Sequence, residues 1–445
     1  MMKSLTYPLI VLLFSVTISQ AQKITSLEKE NKFWKVYPKY QYLEDLEELA
    51  KTLTETHPFP YDFTSKKEFW RTVEDTKKKI TDSTTFGEFI WYCSQIISNI
   101  GCSHTQFGWF NQESEILPIS KRFPIEARFI ENRLYVSDPL VNGGKLAPGE
   151  EILSINGRKV SEIQEEIYKH IVSQAKIETY KRILLNAYFT AYISYALGFP
   201  DSFQIRIRNN PGPIRLTSLS SYQYKPRIKP EDDCQENLCL KILEEKKTAV
   251  MKIRSFIFYG EKISIFRTFI DESFKGINSK NIQNLIIDVR MNGGGASQAS
   301  TYLLQHISSK PFIYFPNESA GYQSGKKYGP SEMRFQGNIY ILQDGDGHSS
   351  TGHFLSLVKQ MRMATLIGEE AGSNFFCTDN RKRDLKLTHT GISYSVARMA
   401  YFTTAQDLPK DKGILPDHYV VQGIEDFLNN HDTVLEYAFN LIEGK

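Results

Sequence analysis

The amino-acid sequence predicts an α/β core, preceded by a helical N-terminal domain and a β module. From about residue 248 onward, short apolar strands alternate with amphipathic helices, which is typical of a mainly parallel sheet covered by helices. Between residues 43 and 99, apolar side chains recur at helical spacing. Between residues 123 and 136 they alternate as in paired strands. The length of 445 residues fits two or three domains.

The N-terminus has the pattern of a secretory signal peptide. Lys3 precedes an apolar stretch at residues 9–16, and Ser-Gln-Ala at 19–21 is a small-x-small cleavage site. We therefore expect residues 1–21 to be removed and the mature protein to be periplasmic or extracellular. The apolar stretch is well short of the roughly 20 residues of a membrane span, and no cysteine follows the cleavage site. No stable membrane anchor is expected.

Net charge and cysteine spacing bear on nucleic-acid binding, disulfide formation and zinc sites. A net charge of +3 over this length gives no indication of a nucleic-acid partner. Cys234 and Cys239 are close together in a polar segment and are predicted to form a local disulfide in an oxidising compartment. No Cys/His spacing resembles a zinc site. The other three cysteines have apolar neighbours and are predicted to be buried thiols: Cys93, Cys102 and Cys377.

The predicted N-terminal helical domain covers residues 22–115. Its third helix, from about residue 86 to 100, ends at Gly101, a common stop signal. Ser103 and His104 follow immediately. A histidine in such a loop is usually a surface residue, and it gains a catalytic role only from a partner elsewhere in the chain.

The predicted β module covers residues 116–210 and resembles a PDZ domain in one stretch. Residues 146–157 read as a strand that ends at Asn156-Gly157 before a helix. PDZ domains often bind extended peptides at a sheet edge. The helical run at 161–197 is longer than a PDZ helix and is predicted to be an insertion, so a module that only positions its neighbours is an equal alternative. Residues 211–247 are predicted to be a linker.

The predicted core, residues 248–445, contains two stretches that suggest catalysis. Residues 290–295 (RMNGGG) follow a predicted strand, and such glycines let backbone N–H groups face a ligand. The stretch lacks the Gly-Lys-Ser/Thr ending and the GxGxxG spacing of phosphate loops. An oxyanion hole, which needs only one or two aligned N–H groups, fits better than a nucleotide site.

The second stretch is residues 338–361, which read as a buried strand, an Asp-Gly-Asp-Gly turn, two serines and a helix. This order places a hydroxyl at a helix N-terminus, where the helix dipole favours developing negative charge. The nucleophile of an acyl-transfer enzyme needs that environment. The alternative is that Ser349 or Ser350 is only a helix cap.

Together these stretches resemble the S41 serine peptidases, the family of C-terminal processing proteases and tricorn proteases. Residues 284–295 (NLIIDVRMNGGG) match the strand–Asp–Arg–Asn-Gly-Gly signature, Ser350-Thr351-Gly352 lies at the nucleophile position, and residues 413–417 match the closing Gly-x-x-Pro-Asp. The resemblance implies an α/β core of the ClpP/crotonase-like type, a preceding PDZ-like module, peptide or protein substrates, and no cofactor.

The family divides by its general base. The processing proteases use a lysine in a Thr-x-Gly-Lys setting, but residues 368–376 contain no lysine. Tricorn-like members use a histidine that follows a serine in an N-terminal segment, and Ser103-His104 matches that pattern. The resemblance therefore implies Ser350 as nucleophile, in preference to Ser349, with His104 as base and Ser103 in an orienting role.

Two positions depart from the family pattern. The residue three places after Ser350 is His353 where a glutamate is usual, and its i+3 spacing makes it an alternative base. Asp411 lies where tricorn-like members have a glutamate and is the candidate fourth catalytic member. The backbone N–H groups of Gly294 and Thr351 are the predicted oxyanion donors.

The predicted function is that of an exported serine endopeptidase acting through a Ser-His acyl-enzyme. The rival is a catalytically weak or inactive S41-like protein that binds a peptide or a lipophilic ligand in the same cleft. The missing glutamates favour the rival, whereas Ser350, His104 and the glycine turn favour the enzyme. A scaffold that uses only the PDZ-like unit is the third alternative.

Overall fold

The computed structural model of the chain describes residues 32–107, 116–222, 234, 236–379 and 382–445. The predicted signal peptide lies outside this part. The described N-terminal region contains helices, and two of them begin with a capping box, Ser65 with Glu68 and Thr85 with Glu88. The longer helices among its described residues are α1 (Lys39–Thr56), α2 (Lys66–Lys79) and α3 (Phe86–Ser98).

The β module is an antiparallel sheet, and the long helical run of the sequence forms three helices inserted into it. Its elements are β2 (Glu126–Ile130), β3 (Arg133–Asp138), β4 (Glu151–Ile155), β5 (Arg158–Lys159), α4 (Val160–Tyr168), α5 (Glu178–Ala187), α6 (Phe189–Ala196), β6 (Gln204–Ile207) and β7 (Ile214–Arg215). The strand order is β2–β3–β4–β6–β7, and β5 pairs with β4.

The helical region and the β module share one hydrophobic core. Buried side chains of α1 and α3 belong to the same apolar cluster as those of β2, β3, β4, α5 and α6. Residues 385–397, far along the chain, join this cluster as well. Because the core is common, α5 and α6 are held at a fixed place relative to the segment that follows α3.

The C-terminal region is built on a six-stranded sheet. Its main elements are β8 (Leu238–Leu243), β9 (Thr248–Ile253), α7 (Ile263–Ser279), β10 (Asn284–Asp288), α8 (Ser297–Ile307), β13 (Asn338–Gln343), α9 (Ser350–Met361), β14 (Thr365–Gly368), β19 (His418–Tyr419), α10 (Ile424–Leu428) and α11 (Thr433–Ile442). The strand order is β19–β14–β13–β10–β9–β8, and all pairs are parallel except β8–β9. The strands and helices predicted between residues 248 and 368 are confirmed, and β8 lies within the predicted linker.

Smaller β elements connect the two regions. The two-residue strand β1 (Gln106–Phe107) pairs with β17 (Ser393–Val396), nearly 300 residues later, and β17 pairs with β16 (Lys382–Lys386). Strand β15 (Phe376–Asp379) pairs with β18 (Met399–Phe402), and β11 (Phe312–Ile313) pairs with β12 (Lys327–Tyr328). These pairings bring the segment after α3 to the parallel sheet.

The cysteine predictions are confirmed. Cys234 and Cys239 are disulfide-bonded, and the other three cysteines are free and buried. Among the residues that the structure describes, no helix has both the length and the apolar character that a membrane span requires.

Candidate active site

The site lies at the carboxyl edge of the parallel sheet. Strands β10 and β13 are neighbours, so the glycine turn after β10 and the serine loop after β13 emerge side by side. In open α/β sheets, ligands bind at this edge. The sequence of each strand explains the arrangement, because both are nearly continuous apolar runs that a parallel sheet can bury on both faces.

Ser349 occupies a strained turn between β13 and α9. Its backbone has φ 56° and ψ −124°, a conformation that non-glycine residues rarely adopt, at a cost of order 1–3 kcal/mol. Ser349 is the N-cap residue of α9, but its side chain makes no capping hydrogen bond. A strained strand-to-helix turn presents a side-chain hydroxyl outward, as nucleophile elbows do.

The residue that meets the histidine is Ser349 and not Ser350. The Ser349 Oγ is 3.2 Å from His104 Nε2, a hydrogen bond between residues 245 positions apart. Ser350 is the first residue of α9, and only 3% of it is exposed. Within the described residues its Oγ has no hydrogen-bond partner. The geometry therefore contradicts the expected contact of Ser350 with His104.

The position of His104 follows from the elements on either side of it. Gly101 has φ 66°, a left-handed conformation that ends the turn after α3. On the other side, β1 pairs with β17, and the Ala397 N–H donates to Thr105 Oγ1 at 3.1 Å. His104 is thus anchored from both directions and is nearly buried.

Ser103 is expected to orient the base through its neighbours, and the structure shows the neighbour that it contacts. Its Oγ is hydrogen-bonded to Nε2 of a second histidine, His348. The His348 ring stacks on the His104 ring, with centroids 4.6 Å apart and an interplanar angle of 23°. Ser103 therefore reaches the base through His348.

The glycine turn packs directly against the nucleophile loop. Gly294 has φ 92°, and a Cβ at this position would lie 2.6 Å from the His348 carbonyl oxygen and 2.8 Å from Ser349 Cβ. Only glycine permits this close approach. The buried Asn292 joins the two loops, because its Oδ1 accepts both the Gly294 N–H and the Thr351 hydroxyl at 2.9 Å.

The predicted oxyanion donors are both engaged within the protein. The Gly294 N–H donates to Asn292 Oδ1, and the Thr351 N–H donates to the His348 carbonyl at 3.1 Å. The N–H groups of Ser350 and Gly293 have no hydrogen bond within the described part of the chain. Ser350 is at the N-terminus of α9 and directly follows Ser349, where an oxyanion donor is needed.

In the described residues, no side-chain hydrogen bond joins Ser349 to the predicted fourth member or to the alternative base. Asp411 is exposed, and its loop is held by hydrogen bonds from Asn374 Nδ2 to the backbone on either side of it. His353 is buried beside Phe315, and among the described residues its Nε2 has no hydrogen-bond partner. Burial lowers the pKa of His353 to about 4. The His353 N–H donates to the Ser349 carbonyl at 3.1 Å, so its link to Ser349 is through the backbone.

Strand β15 supplies two groups that the sequence did not suggest. The Asp379 Oδ2 is 3.9 Å from His104 Nε2, and 38% of the Asp379 side chain is exposed. Cys377, two residues earlier, lies within hydrogen-bond distance of Ser349. Burial raises the pKa of the Cys377 thiol well above its usual value, so this thiol is neutral and a poor nucleophile.

A buried carboxyl supports the junction of the two loops. Asp344 accepts hydrogen bonds from the N–H groups of Met291 and Asp346 at 3.0–3.1 Å. Met291 belongs to the glycine turn and has φ 61°. Burial, together with the neighbouring Asp346 carboxylate, raises the pKa of Asp344 from 3.8 to about 7.

This shift predicts a pH dependence of stability. Because folding raises the pKa of Asp344, its carboxyl ionises at lower pH in the unfolded chain than in the folded protein. The contribution of Asp344 to the free energy of unfolding therefore falls as pH rises from about 4 through about 7. We expect Asp344→Asn to reduce the loss of stability between pH 5 and pH 8, measured by urea denaturation. Asp82→Asn, at an exposed position, is the control and should reproduce the wild-type loss. If Asp344→Asn lost as much stability as wild type between pH 5 and pH 8, the raised pKa of Asp344 would not be the cause of the loss.

The chain is similar in sequence to a peptidase family and in fold to several solved structures. The family model described as "Peptidase family S41" matches residues 247–420. The structure of mature CPAF complexed with lactacystin aligns with a TM-score of 0.61 at 12% identity, over 92% of this chain and 99% of that one. Mature CPAF aligns with a TM-score of 0.59 at 14% identity, over 92% and 98%. The photosystem II D1 C-terminal processing protease aligns with a TM-score of 0.40 at 11% identity, over 90% and 97%. No curated protein matches the sequence.

Proposed function

Residues 247–420 belong to peptidase family S41, and on that premise we propose that the chain is an exported serine endopeptidase with Ser349 as nucleophile and His104 as general base. The observation that carries this proposal is the 3.2 Å contact between Ser349 Oγ and His104 Nε2. Ser349 replaces Ser350 in the assignment made from the sequence. The CPAF likeness supports the fold, and the family supports peptide bonds as the substrate.

The first chemical step is a proton transfer. His104 Nε2, unprotonated in the tautomer that carries its hydrogen on Nδ1, accepts the proton of the Ser349 hydroxyl as Oγ attacks the peptide carbonyl. The oxygen that develops negative charge lies against the N–H of Ser350, and the N–H of Gly293 is the second proposed donor. The strained turn holds Oγ outward and so fixes the direction of attack.

Asp379 has an electrostatic role in this scheme. It faces Nε2, the nitrogen that receives the proton, and not the opposite nitrogen that an orienting carboxylate contacts in a Ser-His-Asp triad. A carboxylate within 4 Å stabilises an imidazolium, although its partial exposure weakens the effect through solvent screening.

His104 then returns the proton to the leaving amine, and water hydrolyses the acyl-enzyme.

Export would place the chain in an oxidising compartment, which explains the disulfide between Cys234 and Cys239. Bonds such as Cys234–Cys239 persist in oxidising compartments and are rare in the cytosol. We expect the mature N-terminus at or next to Gln22, determined by N-terminal sequencing of the protein recovered outside the cytoplasm. A protein that remains in the cytoplasm and begins at Met1 would contradict export.

The enzymatic assignment is tested with an unfolded protein substrate and an activated ester. We expect internal cleavage of reduced, alkylated casein, and a burst of ester product equal to the enzyme concentration, because an acyl-enzyme forms before it hydrolyses. Mass spectrometry of the fragments distinguishes internal cleavage from trimming of the ends. Binding of casein with no fragments and no burst would instead support the rival, a non-catalytic binding protein.

A further inference from the structure

Two residues outside the catalytic pair are aligned with it. Resting on the function proposed above, we propose that His348 and Tyr180 are positioning residues that hold the His104 ring in its catalytic orientation. The Tyr180 ring stacks on His348 with centroids 5.2 Å apart and an interplanar angle of 11°. His348 in turn stacks on His104. The three rings form one column that ends at the general base.

The middle ring has little freedom. The His348 carbonyl accepts the Thr351 N–H, its N–H donates to the Asn292 carbonyl at 3.4 Å, and its ring Nε2 is bonded to Ser103. Only 8% of His348 is exposed. The χ2 torsion of a histidine is intrinsically broad, so a ring such as His104 takes one orientation only when its surroundings impose it. The stacked His348 supplies that restriction on one face of the base.

The outer ring comes from the β module. Tyr180 lies in the first turn of α5, and this turn packs tightly on the loops around the site. A Cβ at Gly345 would lie 2.6 Å from the Thr179 carbonyl carbon, and one at Gly372 would lie 3.1 Å from Tyr180 Cδ2. On the same helix, Arg182 forms a largely buried ion pair with Glu369, just after β14. These contacts fix α5, and hence Tyr180, against the catalytic loop.

The arrangement predicts an effect on turnover and not on binding. Neither ring belongs to the nucleophile or to the proposed oxyanion donors, so the removal of either ring leaves those groups in place. A displaced base lowers the rate of proton transfer, and misplacement by about 1 Å can cost on the order of 10²-fold. Because Tyr180 acts through His348, we expect about a tenfold loss of kcat for Tyr180→Leu, with KM unchanged.

The test compares three variants of the full chain. Tyr180→Phe keeps the ring and should retain wild-type kcat, whereas Tyr180→Leu should show the loss. Tyr188→Leu, at the C-terminal end of the same helix, is the matched control and should behave as wild type. Wild-type kcat in the Tyr180→Leu variant would overturn the proposal. So would an equal loss in Tyr180→Phe, because the hydroxyl and not the ring would then be responsible.

A second measurement separates positioning from folding and from the proposed function itself. The rate of Ser349 labelling by a fluorophosphonate reports its activation without peptide binding, and it should fall in Tyr180→Leu by the same factor as kcat while the melting temperature is unchanged. His348→Phe keeps the stack but loses the bond to Ser103, so it should be less impaired than His348→Ala. Equal labelling rates of wild type and Tyr180→Leu would contradict the positioning role of the rings and leave the proposed serine mechanism standing. If wild type were not labelled at all, both the serine mechanism and the positioning role would be contradicted.

Discussion

Ser349→Ala is expected to lower kcat for peptide hydrolysis by about 10⁴-fold or more, because the variant lacks the attacking oxygen. Ser350→Ala is the matched control one residue along the chain. It removes a buried hydroxyl that has no hydrogen-bond partner in the described residues, while its backbone N–H stays in place. We expect Ser350→Ala to keep most of the activity, measured as initial rates with a quenched fluorogenic peptide.

The pair of variants decides between the assignment from the structure and the assignment from the sequence. If Ser350→Ala abolished turnover while Ser349→Ala retained it, the nucleophile would be the residue implied by the family motif. The strained φ of Ser349 would then need another explanation.

His104→Ala is expected to lose activity to a similar degree, on the order of 10⁴-fold in kcat. The double variant Ser349→Ala/His104→Ala should lose little more, because residues that act as a unit are not additive. His353→Ala should leave the catalytic step intact, since the His353 ring Nε2 has no hydrogen-bond partner in the described residues and its backbone N–H stays in place. Additive losses in the double variant, or abolished turnover in folded His353→Ala, would contradict His104 as the base.

Asp379→Asn tests the carboxylate beside the base. We expect a smaller loss than for His104→Ala, together with a shift of the acid limb of the pH–rate profile to lower pH, because the imidazolium loses a neighbouring negative charge. A profile identical to wild type would show that Asp379 does not influence His104.

The core of the fold could be predicted because its signals are local. Strands buried in a parallel sheet read as continuous apolar runs, and the glycine turn and the helices that follow them have their own signatures. The sequence predicted a contact between His104 and a serine of this loop, and the structure has His104 hydrogen-bonded to Ser349. The choice between Ser349 and Ser350 depended on the φ and ψ of one residue, and residue type does not fix those angles.

The remaining members of the site depend on long-range pairing. Asp379 reaches His104 only because β15 pairs with β18 and the segment after α3 packs beside it, and no sequence spacing encodes that contact. Asp411 occupies the expected place in the chain, but it is exposed, in a loop that Asn374 holds by hydrogen bonds to the backbone on either side. Tyr180 lies in the helical segment inserted into the β module, a region where the sequence carried no catalytic pattern.

The most direct test of the central claim is the site of covalent modification. A fluorophosphonate reacts with the activated serine, and trypsin releases residues 335–359, which contain both serines. Fragment ions that separate the two positions identify the modified residue. We expect the adduct on Ser349, present in Ser350→Ala and absent in Ser349→Ala. An adduct on Ser350, or labelling that survives in Ser349→Ala, would contradict it.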